Sequence, residues 1–162
     1  MKYTYPQFQS QLGWCLYVII FINTTSASAQ IPNFATLKLS SSMKPIQQRV
    51  SGVTGGIYSL STIRGRDNNK NACIGFAESN PDYILVLEEN FNNLTILVKS
   101  GGEDTTLLIK GPEEEIVRCG DDTGKSKDAS ISDKKWTKGT YQIWVGIFEP
   151  GLKRNYTLTV QE

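Results

Sequence analysis

The sequence predicts an all-β fold, an antiparallel β-sandwich or jelly roll in a single domain. Three observations predict it. From Asp82 onward apolar residues recur at every second position in short runs. Turn signals of Gly, Pro, Asn and Asp separate those runs. No stretch of useful length shows the 3.6-residue period of an amphipathic helix. Short strands at hairpin spacing, without helices to cover a parallel sheet, point to two packed antiparallel layers.

The elements follow in order. Residues 1–29 read as a secretory signal peptide: Lys2, then the apolar run LGWCLYVIIFI, then the small residues of NTTSASA with cleavage after Ala29. That apolar run is too short for a membrane span, which needs about 20 residues. No stable span is therefore expected after processing. Residues 30–48 mix scattered apolar residues with Ser and Pro and read as a linker or a loosely attached N-terminal arm. The sandwich is expected over 49–162. Gly55-Gly56 marks a bend, because paired glycines weaken a strand interior. YILVLEE has apolar residues on both faces and reads as a buried strand. LTILVKS, TTLLIKGP and EEIVRCG follow as strands, and GTYQIWVGIFEP is the longest run. NYTLTVQE alternates Tyr156, Leu158 and Val160 against polar partners and closes the chain. First and last strands are expected to lie near each other, as in most Greek-key folds.

The chain carries 17 Lys and Arg against 16 Asp and Glu. Lys2 leaves with the signal peptide, so the processed chain is formally neutral. A nucleic-acid binder would need a basic face, so that partner class is not expected. Cys15 leaves too. The remaining pair, Cys73 and Cys119, reads as a disulfide in an exported chain. Closing the loop between them is worth ~4 kcal/mol in the chain-entropy model.

The second half resembles the bacterial pre-peptidase C-terminal domain, a β-sandwich of secreted proteins. Three stretches carry the likeness: PDYILVLEENFNNLTILVKSGGEDTTLLIKGP, the acidic turn VRCGDDTG, and WTKGTYQIWVGIFEPGLKRNYTLTV. The overall look is similar to small exported proteins of cyanobacteria. The resemblance implies an exported accessory module that assists secretion, folding or attachment, located in the periplasm or outside the cell. Its implied partners are an extracellular polymer or a co-exported protein. Some relatives bind calcium.

The chain has no histidine, so Ser-His-Asp and Cys-His mechanisms are excluded in cis. Asp122-Thr123-Gly124 matches the tripeptide of aspartic proteases, and a dimer could pair two such carboxylates. Ile63-x-Gly65-Arg66-Asp67 is reminiscent of a second element of such enzymes, but the order is reversed. No apolar strand delivers Asp122, and Lys125 stands where a small apolar residue is expected. The chain is therefore read as a non-enzyme. Calcium takes six to eight oxygen ligands, and Asp104, Asp121, Asp122 and Asp128 are the candidate set. An Asp- and Gly-rich hairpin turn also needs no metal, because Asx side chains bond their own backbone. A third reading is a carbohydrate face on Trp144 and Phe148, which share the outward side of the long strand unless a second layer such as the N-terminal arm covers them. Trp136 is expected in the core, with Tyr141 and Tyr156 burying their rings and placing their hydroxyls at the rim. The sequons at Asn93 and Asn155 fall inside expected strands and are discounted.

Overall fold

The computed structural model describes residues 1–4, 31–43 and 45–162, so the expected signal peptide lies almost wholly outside the described residues. Two sheets face each other. One holds β1 (Ala35–Leu39), β3 (Tyr58–Ser59), β4 (Phe76–Ala77), β5 (Tyr83–Leu87), β7 (Thr105–Lys110), β8 (Val117–Gly120) and β11 (Gly139–Ile147). The other runs in the order β2 (Gln47–Val53), β12 (Asn155–Gln161), β6 (Phe91–Lys99), β10 (Ser126–Trp136) and β9 (Asp122–Thr123). The all-β sandwich is what the alternation predicted. Among the described residues no helix is long and apolar enough to cross a membrane.

The core sits where inward residues of both sheets meet. Leu85, Ile143 and Val145 from the first sheet pack against Leu94, Ile96, Leu158 and Val160 from the second. Trp136 plugs one end of this core, with its indole N–H donated to Asp133 O at 3.0 Å. Tyr141 is buried and donates its hydroxyl to Thr137 O at 2.7 Å. The Tyr156 hydroxyl departs from expectation. It is not at a rim but buried beside that of Tyr83.

The expected loose arm at 30–48 is not loose. Residues 35–39 form β1, which pairs in parallel with β5 from Ala35–Tyr83 to Leu39–Leu87. Leu37 and Leu39 enter the core, and this burial holds the segment down. β2 already begins at Gln47 and pairs along its whole length with β12. The nearness of the chain's early and last strands is thus realised by β2 and β12.

β10 is the strand the sequence concealed. Its residues SKDASISDKKW offer only Ala129, Ile131 and Trp136 to the core. Trp136 breaks the two-residue period set by Ala129 and Ile131. The partner strand breaks with it: Phe91 faces in beside Trp136, while Leu94 and Ile96 face in further along. Lys135, at φ 59, lies in this shared crossover of faces.

Asp82 closes a gap in the first sheet. Beyond the start of β5 its backbone N–H donates to Ile143 O at 2.8 Å, and its carboxylate accepts Val145 N–H at 2.7 Å. A side chain thereby does the work of a missing strand residue. Burial pushes the carboxyl up to about 7; the Val145 and Asn33 donors oppose this, and Glu78 adds to it.

Candidate functional site

The acidic candidate residues lie at the open edge beyond β8. β8 ends at Gly120, β9 takes Asp122 and Thr123, and Gly124 turns the chain at φ 64 into β10. A positive φ of this kind suits glycine. The pairing of β9 with β10 shifts register between Ser126 and Ala129. Asp104 stands just before β7, and its carbonyl accepts Phe148 N–H at 2.8 Å. These constraints bring the carboxylates of Asp104, Asp121 and Asp122 within 4.8 Å of one another. Burial and then repulsion from Asp122 and Asp104 hold the Asp121 carboxyl above its usual range. Lys127 answers part of this charge: its ammonium lies 2.9 Å from Asp104 Oδ2. That bond raises the Lys127 pKa.

Asp128, the fourth candidate, points elsewhere. Its Oδ1 accepts Ser100 N–H at 2.8 Å, the Ser100 hydroxyl, and Gly102 N–H at 3.4 Å. Burial alone would raise its pKa, but these donors outweigh burial and hold it low. Asp128 braces the 100–103 turn and does not join the other three.

Asp122-Thr123-Gly124 is the tip of a hairpin. The Thr123 hydroxyl donates to Asp128 O at 2.6 Å, and Asp122 is exposed. The geometry is that of a surface turn rather than an apolar strand feeding a carboxylate into a cleft.

Cys73 and Cys119 are bonded, with Cα atoms 5.2 Å apart. The bond fastens the irregular segment between β3 and β4 onto the outer face of the first sheet. There a second core forms from Leu60, Cys73, Ala77, Leu108, Val117, Cys119 and Trp144. Trp144 is therefore 3% exposed, whereas Phe148 is 56% exposed. The expected pair of exposed aromatic rings does not exist. A second layer covers the tryptophan, and it comes from the disulfide-tethered segment rather than the N-terminal arm.

Sequence reasoning weighed Asp67 only as part of the protease resemblance and missed its structural role. Asp67 is buried and accepts Asn69 N–H and Asn71 N–H at 2.8 Å, Asn71 Nδ2 at 2.9 Å, and Cys119 N–H at 3.1 Å. The signal was legible: Asp67-Asn68-Asn69-Lys70-Asn71 is an Asx-rich turn, with Lys70 at φ 70. A polar cleft of about 410 Å³ opens between this turn and the acidic edge, lined in part by Asp67, Arg118, Asp121, Asp122 and Asp133. Arg118 sits over the Trp136 ring at 4.1 Å and donates to Asp133 at 2.8 Å.

With this geometry established, solved structures share the architecture. The pre-peptidase C-terminal domain of a collagenase from Bacillus anthracis aligns over 82% of this chain and 99% of its own, at 14% identity and a TM-score of 0.50. This chain has that fold. Aeromonas hydrophila PliG, a periplasmic lysozyme inhibitor of g-type lysozyme, aligns over 81% of this chain and 98% of its own, at 14% identity and a TM-score of 0.42. No protein-family model and no curated protein matches the chain.

Proposed function

We propose that the protein is an exported, non-enzymatic β-sandwich module that acts by binding, as an accessory to a co-exported protein or an extracellular polymer. The observation that carries this reading is the Cys73–Cys119 bond under the second core. Such bonds persist in oxidising compartments and are rare in the cytosol. The collagenase-domain fold supports the accessory role by analogy.

Thiol alkylation and intact mass of the protein from producing cells test this. The expected result is a chain starting at Gln30 with both cysteines blocked to alkylation. Free thiols on a chain starting at Met1 would remove the export reading. Affinity capture from the exported fraction tests the binding role, which predicts reproducible enrichment of one protein or polymer.

A second reading is calcium binding, favoured by the clustered carboxylates of Asp104, Asp121 and Asp122. A divalent cation would relieve the repulsion among them and would have to displace the Lys127 ammonium from Asp104. Calcium should then raise the melting temperature, and Asp121→Asn should abolish the rise. An unchanged melting temperature with calcium or chelator removes this reading.

A further inference from the structure

Strand edges in this molecule are treated unequally. β1 exposes one edge, but Gln48 Nε2 donates to Lys38 O there at 3.1 Å. The outer edge of β8 is largely capped: Asp67 accepts Cys119 N–H, Asn68 Oδ1 accepts Val117 N–H at 3.2 Å, and Asn68 N–H reaches Val117 O at 3.4 Å. β3 and β9 are two residues each. β2 is different. It spans seven residues and pairs on one side only, with β12.

The pairing register shows which groups face outward. Thr54 N–H donates to Arg154 O at 2.9 Å, and Glu162 N–H donates to Ile46 O at 3.2 Å. Both bonds continue the β2–β12 register, so the even-numbered residues of β2 direct their backbone groups at β12. Arg49, Ser51 and Val53 direct both N–H and C=O away from the sheet. Among the described residues, nothing pairs with them. A long edge with free backbone groups is a template for another strand, and native proteins usually block it.

The surroundings specify what kind of strand fits. β2, β12 and β6 contain no acidic residue; their only charges are Arg49 and Lys99, both exposed. Ser51, Thr157 and Lys99 align in one row across the three strands. Beside the edge lies an open groove of about 550 Å³ lined by Phe34, Gly52, Val53, Lys99 and Tyr156 among others. Phe34 and Val53 are 46% and 41% exposed there.

We propose that the free edge of β2 docks an extended, acidic segment of a partner protein, which joins the sheet as an added strand. Its backbone bonds Arg49, Ser51 and Val53. An acidic side chain meets Arg49, Lys99 two strands in adds to the positive field of that face, and an apolar side chain enters the groove beside Phe34. Main-chain bonds supply affinity and alternate side chains supply specificity in this recognition mode. The proposal rests on the reading of the protein as a binding module and names its surface.

The test uses purified protein and two fluorescein-labelled peptides of about ten residues, one alternating Glu with Val and one alternating Lys with Val. The acidic peptide is expected to bind about tenfold or more tighter than the basic one, because opposed charges discriminate partners. Ser51→Pro removes one outward N–H without touching the β12 ladder, and Arg49→Glu reverses the edge charge. Each should weaken the acidic peptide by about tenfold while the melting transition stays cooperative, and Arg49→Glu should also narrow the preference between peptides. Equal binding of both peptides, no binding of the acidic one, or binding unaffected by both substitutions would overturn the proposal. So would a concentration-dependent dimer that protects the same amides, since the occupant would then be a second copy. If these fail while capture from the exported fraction still succeeds, the partner sits elsewhere and the module reading stands. Failure of both removes the two together.

Discussion

The edge of β8 and the edge of β2 solve opposite problems with the same backbone chemistry. At β8 both outward N–H groups meet side chains, Val117 O meets a loop N–H, and a disulfide fastens the covering segment. Carboxylates crowd the end of that edge. At β2 the outward groups of three residues have no partner among the described residues, and the charges on β2, β12 and β6 are positive. A long edge whose outward residues are unbonded among the described residues is a template for contact. The contrast also separates stability from recognition: substitutions at β8 should cost folding energy, and those at the outward-directed residues Arg49, Ser51 and Val53 of β2 should cost little.

The largest effect is expected at the disulfide. Reduction, or Cys73→Ser with Cys119→Ser, should destabilise the protein by about 2–5 kcal/mol in urea unfolding. Amide exchange should speed up in residues 60–77 and β8 while β2 is unchanged.

Asp82 sets the next effect. Its folded pKa of about 7 lies above the 3.8 of the free group. The native state therefore holds the proton more tightly than the unfolded chain. The stability this gives is full below pH 3.8 and is lost as pH rises through about 7. The total swing is up to about 4 kcal/mol. Asp82→Asn keeps an acceptor for Val145 N–H and should flatten the slope between those pH values. A slope unchanged in Asp82→Asn would assign it to another group.

Gly52 shows how tightly the bare strand is nonetheless packed from inside. A Cβ there would meet the Tyr156 hydroxyl at 2.4 Å and the Tyr83 hydroxyl at 2.6 Å. Gly52→Ala should cost about 1–3 kcal/mol, read from the denaturation midpoint. Ser51→Pro, one residue away but with its N–H directed outward, should stay within about 0.5 kcal/mol of the parent protein. A cost at Ser51 as large as at Gly52 would mean the edge is already bonded.

Strands rich in core residues announced themselves in the sequence. YILVL, LTILV and QIWVGI carry enough apolar residues at alternate positions to be read directly. β10 did not, because only three of its eleven residues reach the core and the crossover of faces at Lys135 spoils the period. β1 was hidden for a different reason: its five residues sit among Ser and Pro, and its parallel partner is remote in sequence. The alternation correctly put Trp144 opposite Ile143 and Val145. It could not show that an almost unstructured, disulfide-held segment covers that tryptophan. Of the four candidate carboxylates, the fold brings Asp104, Asp121 and Asp122 together. Asp128 is turned to the 100–103 segment, beside a register shift between Ser126 and Ala129 that the sequence did not signal.

Residue-resolved amide hydrogen exchange on the free protein tests the contrast between the two edges most directly. In β8, Val117 and Cys119 should exchange slowly, held by Asn68 and Asp67. In β2, Gln48, Val50 and Gly52 should be protected by β12, while Arg49, Ser51 and Val53 exchange near the rate of an open strand edge. Uniform protection along β2 would contradict the account, because it would mean that the edge described here as bare already has a partner.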